Sequence, residues 1–367
     1  MSKPRLAIVG CGYWGQNLIR NFAELKDVEV RAVCDFDLTA LARIKRRYPG
    51  VELKPGYEEI LSDPRIDAVV VATPVSSHYS FARRALLAGK HVLVEKPLAT
   101  SSSQVSDLIE IAERSSKTLM VDHTFLYTGA VRQMKSLIAS GEIGNLLYFD
   151  SVRISLGLVQ RDINVLWDLG PHDLSIMNYL CEQDPVAISA TGMKHLNCPF
   201  ENIAYVSVQF EDNLIAHFHL NWLAPVKVRR TLVGGSKKMI VYDDMETSEK
   251  VKVYDKGISM SHDPDDRERL LTGYRNGDML APHLDASEAL RLMAYDFASA
   301  IIEQRRPLSD GYSGYRVVRL LELAQRSMAQ NGRPIEICGD HLTEHPILVN
   351  GAVSNNDTEI LQQVATA

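Results

Sequence analysis

A β-branched run, Arg5-Leu6-Ala7-Ile8-Val9, enters Gly10-Cys11-Gly12-Tyr13-Trp14-Gly15, and a helical pattern of Asn17, Leu18, Ile19, Asn21, Phe22 and Leu25 leaves it. A strand, a G-x-G-x-x-G turn and a helix in that order open a parallel α/β sheet that binds a dinucleotide. The first glycine permits the tight turn, the second lets backbone approach a pyrophosphate, and the third lets helix and strand pack closely. The helix N-terminus then turns its free N–H groups and positive dipole end toward the phosphates. A second strand, 28–34, ends in Asp35, whose carboxylate can accept from both ribose hydroxyls of NAD and repel the 2′-phosphate of NADP. NAD is therefore the expected coenzyme, with Gly10, Gly12, Gly15 and Asp35 against it. Tyr13 and Trp14 either wall the nicotinamide pocket or pack on the helix face.

The first third of the chain keeps alternating. Helices are expected at 39–48, 57–61, 78–88 and 102–115, with strands at 68–72, 91–94 and 118–121. This predicts a doubly wound parallel sheet, a Rossmann domain over residues 1–125. Thr73-Pro74 and Glu95-Lys96-Pro97 follow two of its strands at the carboxyl edge, where ligands sit in open α/β sheets. Thr73, Pro74, His78, Glu95 and Lys96 are thus further candidate coenzyme contacts.

From about residue 125 the pattern changes to one helix, 129–140, and then runs at 146–154, 186–194, 203–210, 214–222, 228–233, 238–242 and 251–254 that read as antiparallel. Helices at 286–303 and 312–330 and a strand at 334–337 follow. The expected architecture is an α+β domain, 126–342, with a large, mostly antiparallel open sheet for substrate binding and oligomerisation. Residues 255–284 lack periodicity and read as a long loop, and 343–367 as a C-terminal arm.

Composition narrows the partners. A net charge of −6 with no long basic run argues against nucleic acid. No apolar run reaches the roughly 18 residues of a membrane span, and the N-terminus passes straight into a core strand with no room for a signal peptide. Five scattered cysteines (Cys11, Cys34, Cys181, Cys198 and Cys338) read as reduced thiols of a cytoplasmic protein. Cys11 is expected to serve the turn as a small side chain and not as a nucleophile. No metal is expected: His78, His91, His123, His172 and His195 form no HxH or HxxxH pair.

Two constellations can do chemistry. Lys96 is, by position alone, either a solvated turn lysine or a donor that polarises a substrate oxygen beside nicotinamide. In Trp167-Asp168-Leu169-Gly170-Pro171-His172-Asp173-Leu174, Pro171 suits the first turn of a helix. Asp168 and His172, four apart, can converge on one ligand. His172 is either structural or a general base for an alcohol proton near neutral pH. Tyr127 is the substitute base, and Asp173 can be purely a dipole partner.

Gly10–Gly15, Asp35, Glu95-Lys96-Pro97 and Asp168-x-Gly170-x-His172-x-x-Leu174 together resemble the glucose-fructose oxidoreductase/inositol dehydrogenase/MocA family over about residues 4–340. The resemblance implies an N-terminal Rossmann domain and a C-terminal sheet that makes dimer or tetramer contacts. It also implies hydride transfer between nicotinamide and a ring hydroxyl, with Lys96 polarising the oxygen, His172 as base and Asp168 positioning both. Many members carry an aspartate where this chain has Ser175. The stretch 156–167 with Asn221-Trp222, Val228-Arg229-Arg230, Gly235–Lys238 and Tyr242–Met245 resembles the branch that oxidises C3 of nucleotide-linked amino sugars. UDP-N-acetylglucosamine is the substrate this implies, with an aminotransferase as pathway partner in glycan or lipopolysaccharide biosynthesis. A diphosphate needs cations, for which Arg153, Arg161, Lys227, Arg229 and Arg230 are candidates, while Asn164 can donate to sugar hydroxyls. The alternatives are a dehydrogenase of free sugars or inositol and a non-catalytic NAD-sensing regulator.

Overall fold

A computed structural model describes residues 3–156, 162–181, 183–260 and 272–337. They form two compact units, one from residues up to 128 together with 287–322, the other from 129–286 with the stretch from 323.

In the first unit six strands lie parallel: β1 (Arg5–Val9), β2 (Glu29–Cys34), β3 (Glu52–Lys54), β4 (Ala68–Val71), β5 (His91–Val94) and β6 (Leu119–Val121). Their order, β3-β2-β1-β4-β5-β6, reverses direction beside β1, and that switch point opens a crevice at the carboxyl ends. All four residues of β4 are buried, as expected of a strand covered on both faces. Helix α1 (Tyr13–Glu24) buries Leu18, Ile19 and Phe22 from one stripe, and α2 (Leu38–Arg47) starts where Asp37 Oδ1 accepts from the N–H groups of Thr39 and Ala40. Helices α3 (Tyr57–Leu61), α4 (Val75–Leu87) and α5 (Ser102–Arg114) complete the crossovers. The helix Ala289–Glu303 packs on α1, with Phe297 edge-on to Phe22 and Arg20 paired to Glu288 at 3.0 Å.

The second unit begins with α6 (Gly129–Ala139) and is built on a nine-stranded sheet. Its strands are β7 (Leu146–Leu156), β8 (Pro185–Met193), β9 (Ile203–Phe210), β10 (Ile215–Asn221), β11 (Leu223–Gly235), β12 (Met239–Asp243) and β13 (Val251–Tyr254), with α7 (Val165–Leu180) between β7 and β8. The β7–β10 pair is parallel and its neighbours are antiparallel, so the expected open sheet is present. β11 starts five residues earlier than periodicity predicts, at Leu223 instead of 228. It slips register between Leu223 and Val228, where Pro225 has no N–H for the ladder.

The long loop expected at 255–284 is corrected in part. β14 (Gly257–Met260) and β15 (Thr272–Arg275) pair antiparallel, and β16 (Met279–Leu280) joins β13 at the edge of the large sheet. β17 (Ile335–Glu336) closes the opposite edge against β8. Cys338, Arg161 and the arm 343–367 lie outside the described residues. Among the described residues, no helix is long and apolar enough to cross a membrane.

Candidate coenzyme cradle and active-site residues

The glycine turn leaves β1 with its backbone in an unusual state. Gly10 has φ +91°, and a Cβ there would lie 2.5 Å from the Ala72 carbonyl oxygen. A Cβ at Gly15 would collide with the Gly10 carbonyl, so strand and helix approach only because both side chains are absent. Gly12, the N-cap of α1, meets nothing within 4 Å of its would-be Cβ and supplies no side-chain cap to the helix. The open space and uncapped N–H groups fit a dinucleotide pyrophosphate.

Asp35 ends β2 and ties the turn together. Its Oδ2 accepts from the Cys11 N–H at 2.8 Å and from the Cys11 thiol at 3.2 Å, and its Oδ1 accepts from the Asp37 N–H at 2.9 Å. Burial alone would raise its pKa, but these donors hold it below the ordinary carboxylate range. Burial first and the Asp35 contact second push Cys11 up to about 12, so Cys11 stays a thiol that serves the turn. Tyr13 and Trp14 are 77% and 50% exposed and stack edge to face, so neither packs into the core. Phe36, which sequence reasoning passed over, is 92% exposed directly beside Asp35. Its signal was an aromatic residue immediately after the acid.

Farther along the sheet edge, His78 is buried, with Nδ1 2.8 Å from the Pro97 carbonyl oxygen and Nε2 2.8 Å from the Thr73 carbonyl oxygen. It joins the end of β4 to the Lys96–Pro97 turn, whose peptide is cis. Its ring is thus committed to backbone, a correction to its expected place against coenzyme. Thr73 Oγ1 accepts from Ser77, and Pro74 is the exposed N-cap of α4. Lys96 is half-buried. Glu95 and Asp122, which follow neighbouring positions of β5 and β6, are both buried, as is His123. Tyr127 is corrected as a base: it is buried, its hydroxyl donates to Asp296 at 2.7 Å, and burial lifts its pKa well above the tyrosine range.

In the second unit α7 begins at Val165, two turns before Pro171, so the expectation that Pro171 sits in the first turn is corrected. Asn164 is the cap: Oδ1 accepts from the Trp167 N–H at 3.2 Å, and Nδ2 donates to Glu201 at 3.0 Å and Gln325 at 2.7 Å. Both ends of its amide are engaged, which removes it from the sugar contacts expected of it. Asp168 and His172 stand one turn apart on the same face of the helix and are half-buried. The buried Trp222 indole donates to Asp168 Oδ2 at 3.1 Å. The Ser175 hydroxyl donates to the His172 carbonyl at 2.7 Å, so the serine serves the helix backbone.

Arg153 is corrected as a phosphate ligand. Its Nε and Nη2 donate to the two oxygens of Asp173 at 2.7 and 2.9 Å, and both side chains are almost wholly buried. Asp173 is therefore an ion-pair partner more than a dipole partner. Arg229 lies 3.2 Å from Asp244, while Arg230 and Lys227 are exposed. His217 and His219 form the His-x-His spacing passed over above, on one face of β10. The Tyr205 ring stacks on His219 at 4.5 Å, and among the described residues no group of three or more His, Cys, Asp or Glu could hold a metal.

Comparison with known proteins adds to this geometry. Residues 4–123 match the model of an oxidoreductase family with an NAD-binding Rossmann fold, and 131–241 match the GFO/IDH/MocA C-terminal domain. The dTDP-3,4-didehydro-2,6-dideoxy-alpha-D-glucose 3-reductase of Saccharopolyspora spinosa is 34% identical over 172 residues, 46% of this chain and 52% of that protein. The chain thus matches about half the length of that curated relative. An oxidoreductase from Agrobacterium radiobacter, solved with NAD+, L-tartaric acid and magnesium, superposes with TM-score 0.78 at 16% identity, covering 91% of this chain and 98% of that one. UDP-N-acetylglucosamine 3-dehydrogenase from Acidithiobacillus ferrooxidans superposes with TM-score 0.75 at 22% identity, covering 90% and 99%.

Proposed function

The chain belongs to the GFO/IDH/MocA oxidoreductase family, and from that premise we propose that it oxidises a ring hydroxyl of a nucleotide-linked sugar to a ketone with NAD. The observation that carries the chemistry is the Asp168–His172 pair on one face of α7, with Asp168 pinned by the Trp222 indole. The cradle at Gly10, Gly12 and Gly15 would hold the pyrophosphate and Asp35 the ribose hydroxyls, while exposed Phe36 offers a flat face to adenine. When bound, NAD supplies the hydride acceptor.

The residues divide the rest. Lys96 donates to the hydroxyl oxygen and steadies the charge that grows on it. His172 takes the hydroxyl proton as the carbon–hydrogen bond breaks, leaving the ketone. Asp168 orients the hydroxyl and the imidazole. Among the candidates in the described residues, Arg230 and Lys227 are the exposed cations for a substrate diphosphate once Arg153 is withdrawn.

The substrate we infer is UDP-N-acetylglucosamine, oxidised at C3. Two similar proteins support it by name: one is a 3-reductase of a dTDP-linked hexose and the other a 3-dehydrogenase of this UDP sugar. The product ketone suits an aminotransferase as the next enzyme. We further propose a cytoplasmic homodimer or homotetramer assembled through the open face of the nine-stranded sheet.

The test is NADH formation in a single turnover, with enzyme stoichiometric to NAD and a panel of UDP- and dTDP-hexoses beside free glucose and inositol. A signal confined to UDP-N-acetylglucosamine is expected, with Lys96→Ala slower by roughly a thousandfold while NAD affinity stays within about threefold. A signal from free polyols alone would move the chain to sugar or inositol oxidation. Silence with NAD still bound would favour an NAD-sensing regulator.

A further inference from the structure

The first unit carries a cavity at the end of its sheet opposite the coenzyme crevice. His91 opens β5 and Thr118 immediately precedes β6, so both stand at the amino-terminal ends of parallel strands. Roughly 10 Å of strand separates His91 from Val94, which leads into Glu95-Lys96-Pro97 at the other end. With the end of α5 and the turn into the helix Gly311–Ala329, His91 and Thr118 line a cavity of about 500 Å³. That volume lies within the roughly 300–1,000 Å³ of small-molecule pockets. Ile109, Ala112 and Leu119 are buried and make one wall apolar.

The polar lining is weighted toward donors. Lys117 is half-buried, and its ammonium has no hydrogen bond or ion pair among the described residues. His91 Nδ1 accepts from the Thr118 N–H at 3.0 Å, so the neutral ring carries its proton on Nε2, a second donor. Burial and the Lys117 charge keep that ring neutral near pH 7. Arg306 lies over the Tyr312 ring, 4.9 Å from its centroid, and meets acids only at long range, Glu113 at 3.5 Å and Asp310 at 4.0 Å. Those acids have closer work. Glu113 accepts from the Tyr312 hydroxyl at 2.5 Å, and Asp310 Oδ1 accepts from the Ser313 N–H at 2.9 Å. Arg305 is held by Asp296 at 2.6 Å and Glu303 at 2.8 Å and is not counted among the donors.

From this lining we infer that the cavity is a second ligand site, one that takes the phosphoryl group of a small organic phosphate. The three donors come from separate elements: Lys117 follows α5, His91 opens β5, and Arg306 stands in the turn after the helix Ala289–Glu303. A phosphoryl group offers three oxygens in three directions, whereas a carboxylate offers two in one plane. Its charge of about −2 near neutral pH also matches two cations whose own acids are absent or distant. The apolar wall then suits a compact ring or hydrocarbon body attached to the phosphate. The site is independent of the sugar substrate and of Lys96, Asp168 and His172.

The test uses the full chain with isotope-labelled histidine, saturated with NAD so that the pyrophosphate cradle is occupied. Phenyl phosphate, inorganic phosphate and benzoate are titrated near neutral pH while the His91 ring signal is followed by NMR. That signal is identified by its absence from His91→Asn. Phenyl phosphate should shift it saturably, about tenfold tighter than benzoate and at least about threefold tighter than inorganic phosphate. Lys117→Gln, at a half-exposed position, should weaken phenyl phosphate by about tenfold or more. A His91 signal that phenyl phosphate leaves in place, or equal affinity in wild type and Lys117→Gln, overturns the site. Benzoate binding as tightly as phenyl phosphate overturns the phosphoryl assignment, and inorganic phosphate doing so overturns the organic body.

Discussion

Asp35 shows how one carboxylate serves as scaffold and ligand together. Its oxygens already accept from Cys11 and Asp37, yet it stands half-exposed at the end of β2, where ribose hydroxyls of NAD can reach it. Asp35→Ala should lower the preference for NAD over NADP by about tenfold or more, since a charged acceptor and a repulsion toward the 2′-phosphate disappear together. Equilibrium binding of both coenzymes checks this, and an unchanged ratio would take Asp35 off the ribose. His91 carries a different prediction. Burial and the Lys117 charge lower its pKa to about 4, and its Nδ1 accepts from the Thr118 N–H at 3.0 Å. The unfolded chain takes up this proton near 6.5 and the folded chain only near 4, so between those values the unfolded state binds more protons and stability falls as pH falls. His91→Asn keeps an acceptor for Thr118 and cannot charge. Its Tm should drop less than that of wild type between about pH 7 and 4.5. Burial lifts the acids Glu95 and Asp122, and they act in the opposite sense, but equally in both proteins, so the comparison isolates His91.

At the scale of elements, α7 is held by the Asn164 cap, by the Trp222 indole on Asp168 and by the Arg153–Asp173 pair next to His172. Asp173→Asn leaves a buried guanidinium without its counter-charge and should cost roughly 3–5 kcal/mol in urea unfolding. Trp222→Phe keeps most of the volume but removes one donor. It should lower kcat by about tenfold with a loss of roughly 1 kcal/mol of stability, the mark of a positioning role. These ties also show what one sequence can and cannot disclose. The Rossmann half was legible because β4 is a continuous apolar run and α1 repeats its stripe through Leu18, Ile19 and Phe22. The pair Arg153–Asp173 was not, because the two residues lie 20 apart in sequence and meet only through the packing of α7 on β7. Pro171 misled because proline favours a first turn, whereas here it lies inside the helix and the true cap is Asn164. The β14–β15 ladder is announced only by Ile258 and Met260, an alternation too short to read as a strand.

At the scale of the whole molecule, the nine-stranded sheet is covered unequally. Ala216, Phe218 and Leu220 of β10 are buried on the face that α7 packs against, while Ile215, His217 and His219 alternate onto the other. There Tyr205 remains 44% exposed although its ring stacks on His219, and Ile215 is equally exposed. Met193, paired with Ile203 on the neighbouring ladder, is 65% exposed. Ser207, Gln209 and Thr191 share this face with Ile203, Tyr205 and Met193, the mixed make-up of an ordinary protein–protein contact, and a self-complementary contact between two copies would bury it symmetrically. The stacked rings of Tyr205 and His219 are already ordered in the single chain, so little side-chain freedom is lost when such a contact forms. Tyr205→Glu places a charge in the middle of that face without touching α7, Lys96 or the glycine cradle. Light scattering should give wild type a mass of two or four chains and the variant half of that, one or two, with Tm changed only by the loss of this contact. A wild type already at one chain, or a variant of unchanged mass, would assign the open face to something other than a second copy.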